Sequence, residues 1–195
     1  MIEESKSGHT FHILVLDDED PIVRAMTRVL RRMPEEWLDG NCQVHGYQDP
    51  DEALASLRDR SYDLIISDLR MPRMDGISFL RQTLAIQPDA MRIVISGQAD
   101  LPTVMSAVNE TQVFRFIDKP WNDTELQMGV AQALRNSLLQ RENRRLADLV
   151  REQRSMISRH EEALRELEAE SPGITQVKRD ASGAILLDDS DFDED

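Results

Sequence analysis

Residues 11–138 predict a small doubly wound α/β domain, with five parallel strands covered by helices on both faces. Three observations predict it. Five short apolar runs alternate with stretches of helical pattern. The runs are nearly continuously apolar rather than alternating, as in strands buried on both faces. Several of them also end in a carboxylate, a hydroxyl or a lysine, at the strand ends where open α/β sheets bind ligands.

The elements follow in order. Phe11–Leu16 reads as the first strand and Asp20–Met33 as a helix, with Asp20 as N-cap and Pro21 at the first helical position. Gln43–Tyr47 is a weaker strand, suited to an edge, and Asp51–Arg60 a short helix. Tyr62–Ser67 is the third strand, and Asp68 stands at its carboxyl end. The Pro72 and Asp75-Gly76 that follow mark a turn, then a helix over Gly76–Gln87 that stops before Pro88. Met91–Ser96 is the fourth strand, Pro102–Glu110 a helix entered by proline, and Val113–Ile117 the fifth strand. A last helix starts at Asn122, capped by Asn122 or Asp123. This pattern leaves the strand order open.

That last helix does not stop with the domain. No Gly or Pro occurs from Val130 to Ser171. Asn143, Val150, Ile157 and Leu164 recur at sevens, as do Leu139, Leu146, Gln153, His160 and Leu167. These are two core positions of a heptad pattern with polar interruptions. A second register through Leu149, Met156 and Ala163 is open. A helix over Asn122–Glu170 would run roughly 70 Å, too long to pack wholly on one small domain, so residues 139–170 are expected to pair with a second copy or a partner helix. His160 beside Glu161 reads as a tolerated residue of that stripe rather than a phosphorylated histidine. Residues 1–10 are expected to be a flexible N-terminus. Residues 171–195 form a tail with a candidate hairpin over 174–187 and an acidic end that reads as a natural terminus.

Composition narrows the functional classes. The chain is 40% hydrophobic and 31% charged, with a formal net charge of -14. That argues against sequence-independent nucleic-acid binding. The single Cys42 excludes an internal disulfide and a cysteine-rich zinc site. The N-terminus is not a secretory signal, and no apolar run approaches the ~20 residues of a membrane helix. A cytoplasmic protein with no membrane contact is expected.

If the strands are parallel and adjacent, Asp17, Asp18, Asp68, Ser96 and Lys119 converge on one rim. Crowded carboxylates must hold protons or share a cation, and oxygen-only ligands favour Mg²⁺. A nearby ammonium and hydroxyl suit an incoming phosphoryl group, and a carboxylate oxygen can itself attack phosphorus.

These residues resemble the receiver domain of two-component response regulators, over roughly Phe11–Leu138. The resemblance rests on Leu16-Asp17-Asp18, on Asp68 with Met71-Pro72-Arg73-Met74-Asp75-Gly76, on Ile95-Ser96-Gly97 and on Lys119-Pro120-Trp121. It implies a flavodoxin-like sheet of order 2-1-3-4-5. It implies a signalling protein rather than an enzyme, in which Asp68 accepts a phosphoryl group from a histidine kinase or phosphotransfer protein. Asp18, Asp68 and the backbone carbonyl of Arg70 would hold Mg²⁺, with Asp17 acting partly through water. Lys119 would hold the phosphoryl oxygens, Ser96 would be the switch hydroxyl and Phe116 the rotating aromatic. Arg70 and Gln98 would line the mouth of the pocket. Ser96 stands where Thr is more frequent and Phe116 where Tyr often is. The helix-turn-helix output common in the family is not expected in the residues after the receiver, so the expected output is a homodimer through the C-terminal helix or an unidentified downstream protein. The rival reading is a Mg²⁺-dependent phosphatase of the haloacid dehalogenase type. Asp18-Glu19-Asp20 matches only half of its motif and leaves Asp68 unexplained.

Overall fold

Five strands pair in parallel in the order β2-β1-β3-β4-β5. They are β1 (His9–Leu16), β2 (Gly40–Tyr47), β3 (Leu64–Asp68), β4 (Met91–Gly97) and β5 (Arg115–Lys119). The computed structural model describes residues 9–38, 40–97 and 111–170. The helices among these are α1 (Asp20–Leu30), α2 (Pro50–Asp59), α3 (Gly76–Ile86) and α4 (Asp123–Glu170). The sheet and its order are those expected. The expected helix over Pro102–Glu110, the hairpin over 174–187, the acidic end and Gln98 lie outside the described residues.

Alternation along the strands splits the core in two. Phe11, Ile13 and Val15 of β1 join Met26 and Leu30 of α1 and Leu126, Val130 and Leu134 of α4. Leu14 and Leu16 point the other way, onto Leu57 of α2 and Phe79 and Leu80 of α3. Each fully buried aliphatic side chain contributes about 1.5–3 kcal/mol. β2 is an edge strand, and its mixed burial reflects one pairing partner instead of two.

Several boundaries differ from expectation. The N-cap of α1 is Glu19 and not Asp20, because the Glu19 carbonyl accepts from Ile22 N (2.9 Å) and Val23 N (3.2 Å). Asp20 is the first helical residue, paired with Arg24 one turn on at 2.7 Å. The helix ends at Leu30 rather than Met33, where Arg32 N and Met33 N bond back to Val29 O and Leu30 O in tightened turns. β5 starts at Arg115 rather than Val113, although Phe114 N already bonds to Arg92 O of β4 at 2.7 Å. Asn122 caps α4, its Oδ1 accepting from Thr124 N (2.9 Å) and Glu125 N (3.2 Å).

β1 begins at His9 because a buried carboxylate holds that end of the sheet. Asp63, 2% exposed, accepts from His12 N at 2.7 Å and lies 3.4 Å from His9 Nε2. Its other partner is Arg141 of α4, at 2.7 Å. The clamp fixes α4 to the start of the strand whose far end carries Asp68. Beyond it, Arg144–Asp195 forms a separate unit. Along that part of α4 large apolar side chains are exposed, among them Val150 (48%), Ile157 (58%) and Leu164 (50%).

Candidate functional site

Register builds the site. Leu16 of β1 pairs with Ser67 of β3, so Asp17 and Asp68, each one residue further, stand side by side on the carboxyl rim. On the other flank Asp68 pairs with Ile95, Ser96 with Asp118, and Gly97 with Lys119. Asp17, Asp68, Ser96 and Lys119 therefore share one edge because the strands are parallel and in step.

Lys119 joins the carboxylates. Its Nζ lies 2.8 Å from Asp17 Oδ2 and 2.6 Å from Asp68 Oδ1. The remaining oxygens are held by backbone. Asp17 Oδ1 accepts from Glu19 N at 3.0 Å, and Asp68 Oδ2 from Arg70 N at 2.8 Å. Asp17 is fully buried, and burial raises its carboxyl pKa above the usual range despite the opposing bonds from Lys119 and Glu19. Burial also opposes the Lys119 charge, but its hydrogen bonds to Asp17 and Asp68 outweigh this and raise the ammonium pKa above its usual value. The site thus stores two carboxylates against one cation, at the cost of desolvation.

The other predicted residues are arranged around this centre. Asp18 is solvent-exposed at the rim and does not join Asp17 and Asp68 at Lys119. Ser96 is 5% exposed and its Oγ donates to Gly97 O at 3.1 Å. Phe116, half-buried, packs on the second core cluster. Arg70 is exposed just past β3. Asp20, the second carboxylate of the dehalogenase-like pattern, is committed to Arg24 and to Gln48 Nε2 at 2.9 Å.

Gly76 is a positioning residue, where the sequence alone marks only a turn and a helix start. A Cβ there would lie 2.0 Å from the carbonyl oxygen of Asp68. The first turn of α3 thus presses against the backbone of Asp68, while Asp75 caps the helix by accepting from Ser78 N at 2.9 Å. Gly76→Ala should lower stability by about 1–3 kcal/mol, as for other overpacked sites, and shift the Asp68 backbone. Thermal denaturation with an unchanged midpoint would contradict this.

Among the described residues no three His, Cys, Asp or Glu side chains gather into a metal-sized cluster. Mg²⁺ nevertheless needs only one or two carboxylates and keeps several waters. Asp68, the Arg70 carbonyl just past it and the exposed Asp18 on the same rim are hard oxygen donors of the kind that ion takes.

Residues 13–131 match the response regulator receiver domain family, and the chain belongs to it. It is 33% identical over 130 residues to the hydrogenase transcriptional regulatory protein HoxA of Bradyrhizobium diazoefficiens, covering 67% of this chain and 25% of that protein. It is 37% identical over 109 residues to protein-glutamate methylesterase/protein-glutamine glutaminase 3 of Geobacter sulfurreducens, covering 55% of this chain and 27% of that protein. Among solved structures, the signal receiver domain of an HD domain-containing protein from Pseudomonas fluorescens aligns with a TM-score of 0.58 and 31% identity, covering 66% of this chain and 98% of that one. The chain spans about a quarter of the length of the first curated relatives it matches. Receiver domains are phosphoacceptor signalling domains, and they interact with histidine kinases or phosphotransfer proteins. No described helix is long and apolar enough to cross a membrane.

Proposed function

We propose that this chain is a phosphoacceptor of a two-component relay, with Asp68 as the residue modified. The observation that carries the reading is the Lys119 ammonium within 2.8 Å of Asp17 and 2.6 Å of Asp68. A carboxylate oxygen of Asp68 attacks the phosphorus of a phosphohistidine donor, the P–N bond breaks, and the imidazole leaves with the electron pair. Little beyond positioning and charge neutralisation is required of the protein. Arg70 N and Gly76 hold Asp68 in place, Lys119 swings its charge onto the incoming oxygens, and Ser96 donates its hydroxyl to one of them. Asp18, Asp68 and the Arg70 carbonyl would hold Mg²⁺, with Asp17 beside them acting partly through water. When bound, the ion neutralises charge developing on the transferred group. Phe116 follows the Ser96 hydroxyl by repacking.

The output we propose is association rather than DNA binding. Residues 11–138 act as the receiver, and residues 139–170 as a coiled-coil helix that pairs two copies or recruits a downstream protein. The net charge of -14 and the exposed apolar stripe of α4 support this. A cytoplasmic site of action is part of this reading.

The test is incubation with acetyl phosphate and Mg²⁺, with the modified residue mapped by mass spectrometry. One phosphoryl group is expected, on Asp68, and none in Asp68→Asn or after chelation of the metal. Label that persists in Asp68→Asn would sink the assignment.

A further inference from the structure

Helix α4 carries an apolar surface that the site chemistry leaves unused. Eight apolar side chains between Leu139 and Leu167 are 44–63% exposed. We propose that this stripe is the seam of a parallel, in-register, two-stranded coiled coil with a second copy of this chain. The inference rests on the dimer reading above and adds its orientation, register and strand number.

Heptad chemistry supplies the first argument. Placing Asn143, Val150, Ile157 and Leu164 at a puts Leu139, Leu146, Gln153, His160 and Leu167 at d. Leu149, Met156 and Ala163, the alternative core row, then fall at g and widen the seam rather than compete with it. β-Branched Val150 and Ile157 at a with Leu146 and Leu167 at d favour two strands over three or four within a parallel pair. Polar layers supply the second. In a parallel, in-register pair, Asn143, Gln153 and His160 each meet their own copy and can exchange hydrogen bonds. An antiparallel pair matches a with d. Its best register sets Asn143 against His160 but leaves the Gln153 amide facing Val150. One heptad further along, all three face aliphatic residues; one heptad the other way Asn143 meets Gln153, but Leu164 and Leu167 then fall opposite Gln132 and Gly129 and lose their apolar partners.

Charge pulls the other way and is the weaker effect. The helix is richer in arginine near Arg141–Arg151 and in glutamate near Glu161–Glu170, which favours antiparallel pairing. Most of those charges stand at outward positions, where solvated and screened pairs contribute little. Burying an unmatched amide costs more. Area is sufficient for a stable pair. Covering the eight side chains removes on the order of 400 Å² per helix, at roughly 50 Å² each. Two helices then approach the apolar share of a standard interface, about 900 Å².

Single cysteines test it in the full chain with Cys42→Ser. Under mild oxidation Val150→Cys and Ile157→Cys should each form a disulfide-linked dimer, roughly tenfold more than the outward control Arg151→Cys, since only facing Cβ atoms come within bonding range. Asn143→Val should convert one dimeric species into a mixture of oligomers by sedimentation. A chain that light scattering shows to be dimeric, yet that links at neither a position, overturns the parallel register while leaving the dimer intact. A monomer at all concentrations overturns both.

Discussion

Lys119→Met is expected to slow phosphoryl uptake at Asp68 by roughly 10²–10³-fold, the usual effect of deleting one preorganised charge donor to a developing anion. Asp17 is fully buried beside Asp68, and the Lys119 ammonium lies within 3 Å of both. Methionine keeps much of the length and none of the charge. Removing one member of a buried charge set costs about 3–5 kcal/mol. The loss should fall below that range here, because Lys119 is 23% exposed and the backbone N–H of Glu19 still serves Asp17. The pH dependence has a definite sign. The folded pKa of Lys119 is raised above 10.5, so its stabilisation is complete below that value and is lost as pH rises through the folded value. The wild type should therefore lose stability in alkaline titration by a step that Lys119→Met lacks. Mg²⁺ should raise the melting temperature of the variant by more than that of the wild type, since the ion then supplies the only compensating charge. Equal shifts would argue that Asp17 and Asp68 do not share a cation.

Much of this site was legible because it is built from strand ends. Asp68 follows Leu64-Ile65-Ile66-Ser67, and an apolar run with a carboxylate at its end needs no tertiary information to be recognised. The order 2-1-3-4-5 was not in the periodicity; it came with the resemblance. What stayed hidden depends on contacts distant in sequence. Nothing local to Asp63 announces His9 or Arg141. Nothing local to Gly76 says that the Asp68 carbonyl will lie where its side chain would be. Asp20 looked like an N-cap because Pro21 follows it, but proline is allowed at either of the first two helical positions, and Glu19 took the cap. Asp17-Asp18 illustrates a finer limit. Sequence brings both to the rim, but strand alternation sends Asp17 inward to Lys119 and leaves Asp18 exposed.

Arg92→Ala is expected to destabilise the domain by about 2–4 kcal/mol, far more than a surface substitution. Arg92 interrupts an otherwise apolar strand, and the sequence gives it no obvious partner. It is 1% exposed, on the same face as Val94, beneath α3. Its guanidinium donates to Gln87 O at 2.7 Å, Ala90 O at 2.8 Å and Thr83 Oγ1 at 3.2 Å, with Pro88 O at 3.5 Å. Gln87 is the C-cap of α3. Arg92 therefore satisfies carbonyls at the negative end of the helix dipole, where a cation is favoured. Burial lowers its pKa to about 10, which still leaves it charged at neutral pH. Alanine removes the donors and opens a cavity, whereas Arg92→Met fills the space and removes only the donors. The methionine variant should recover part of the loss, and the difference measures packing against hydrogen bonding. Arg92→Lys should restore less than its charge suggests, because one ammonium cannot reach carbonyls spread over a guanidinium fork. Chemical denaturation of the three variants decides it. If alanine costs no more than a surface substitution, the α3–β4 connection does not depend on Arg92. A full loss restored by lysine would assign the effect to charge alone.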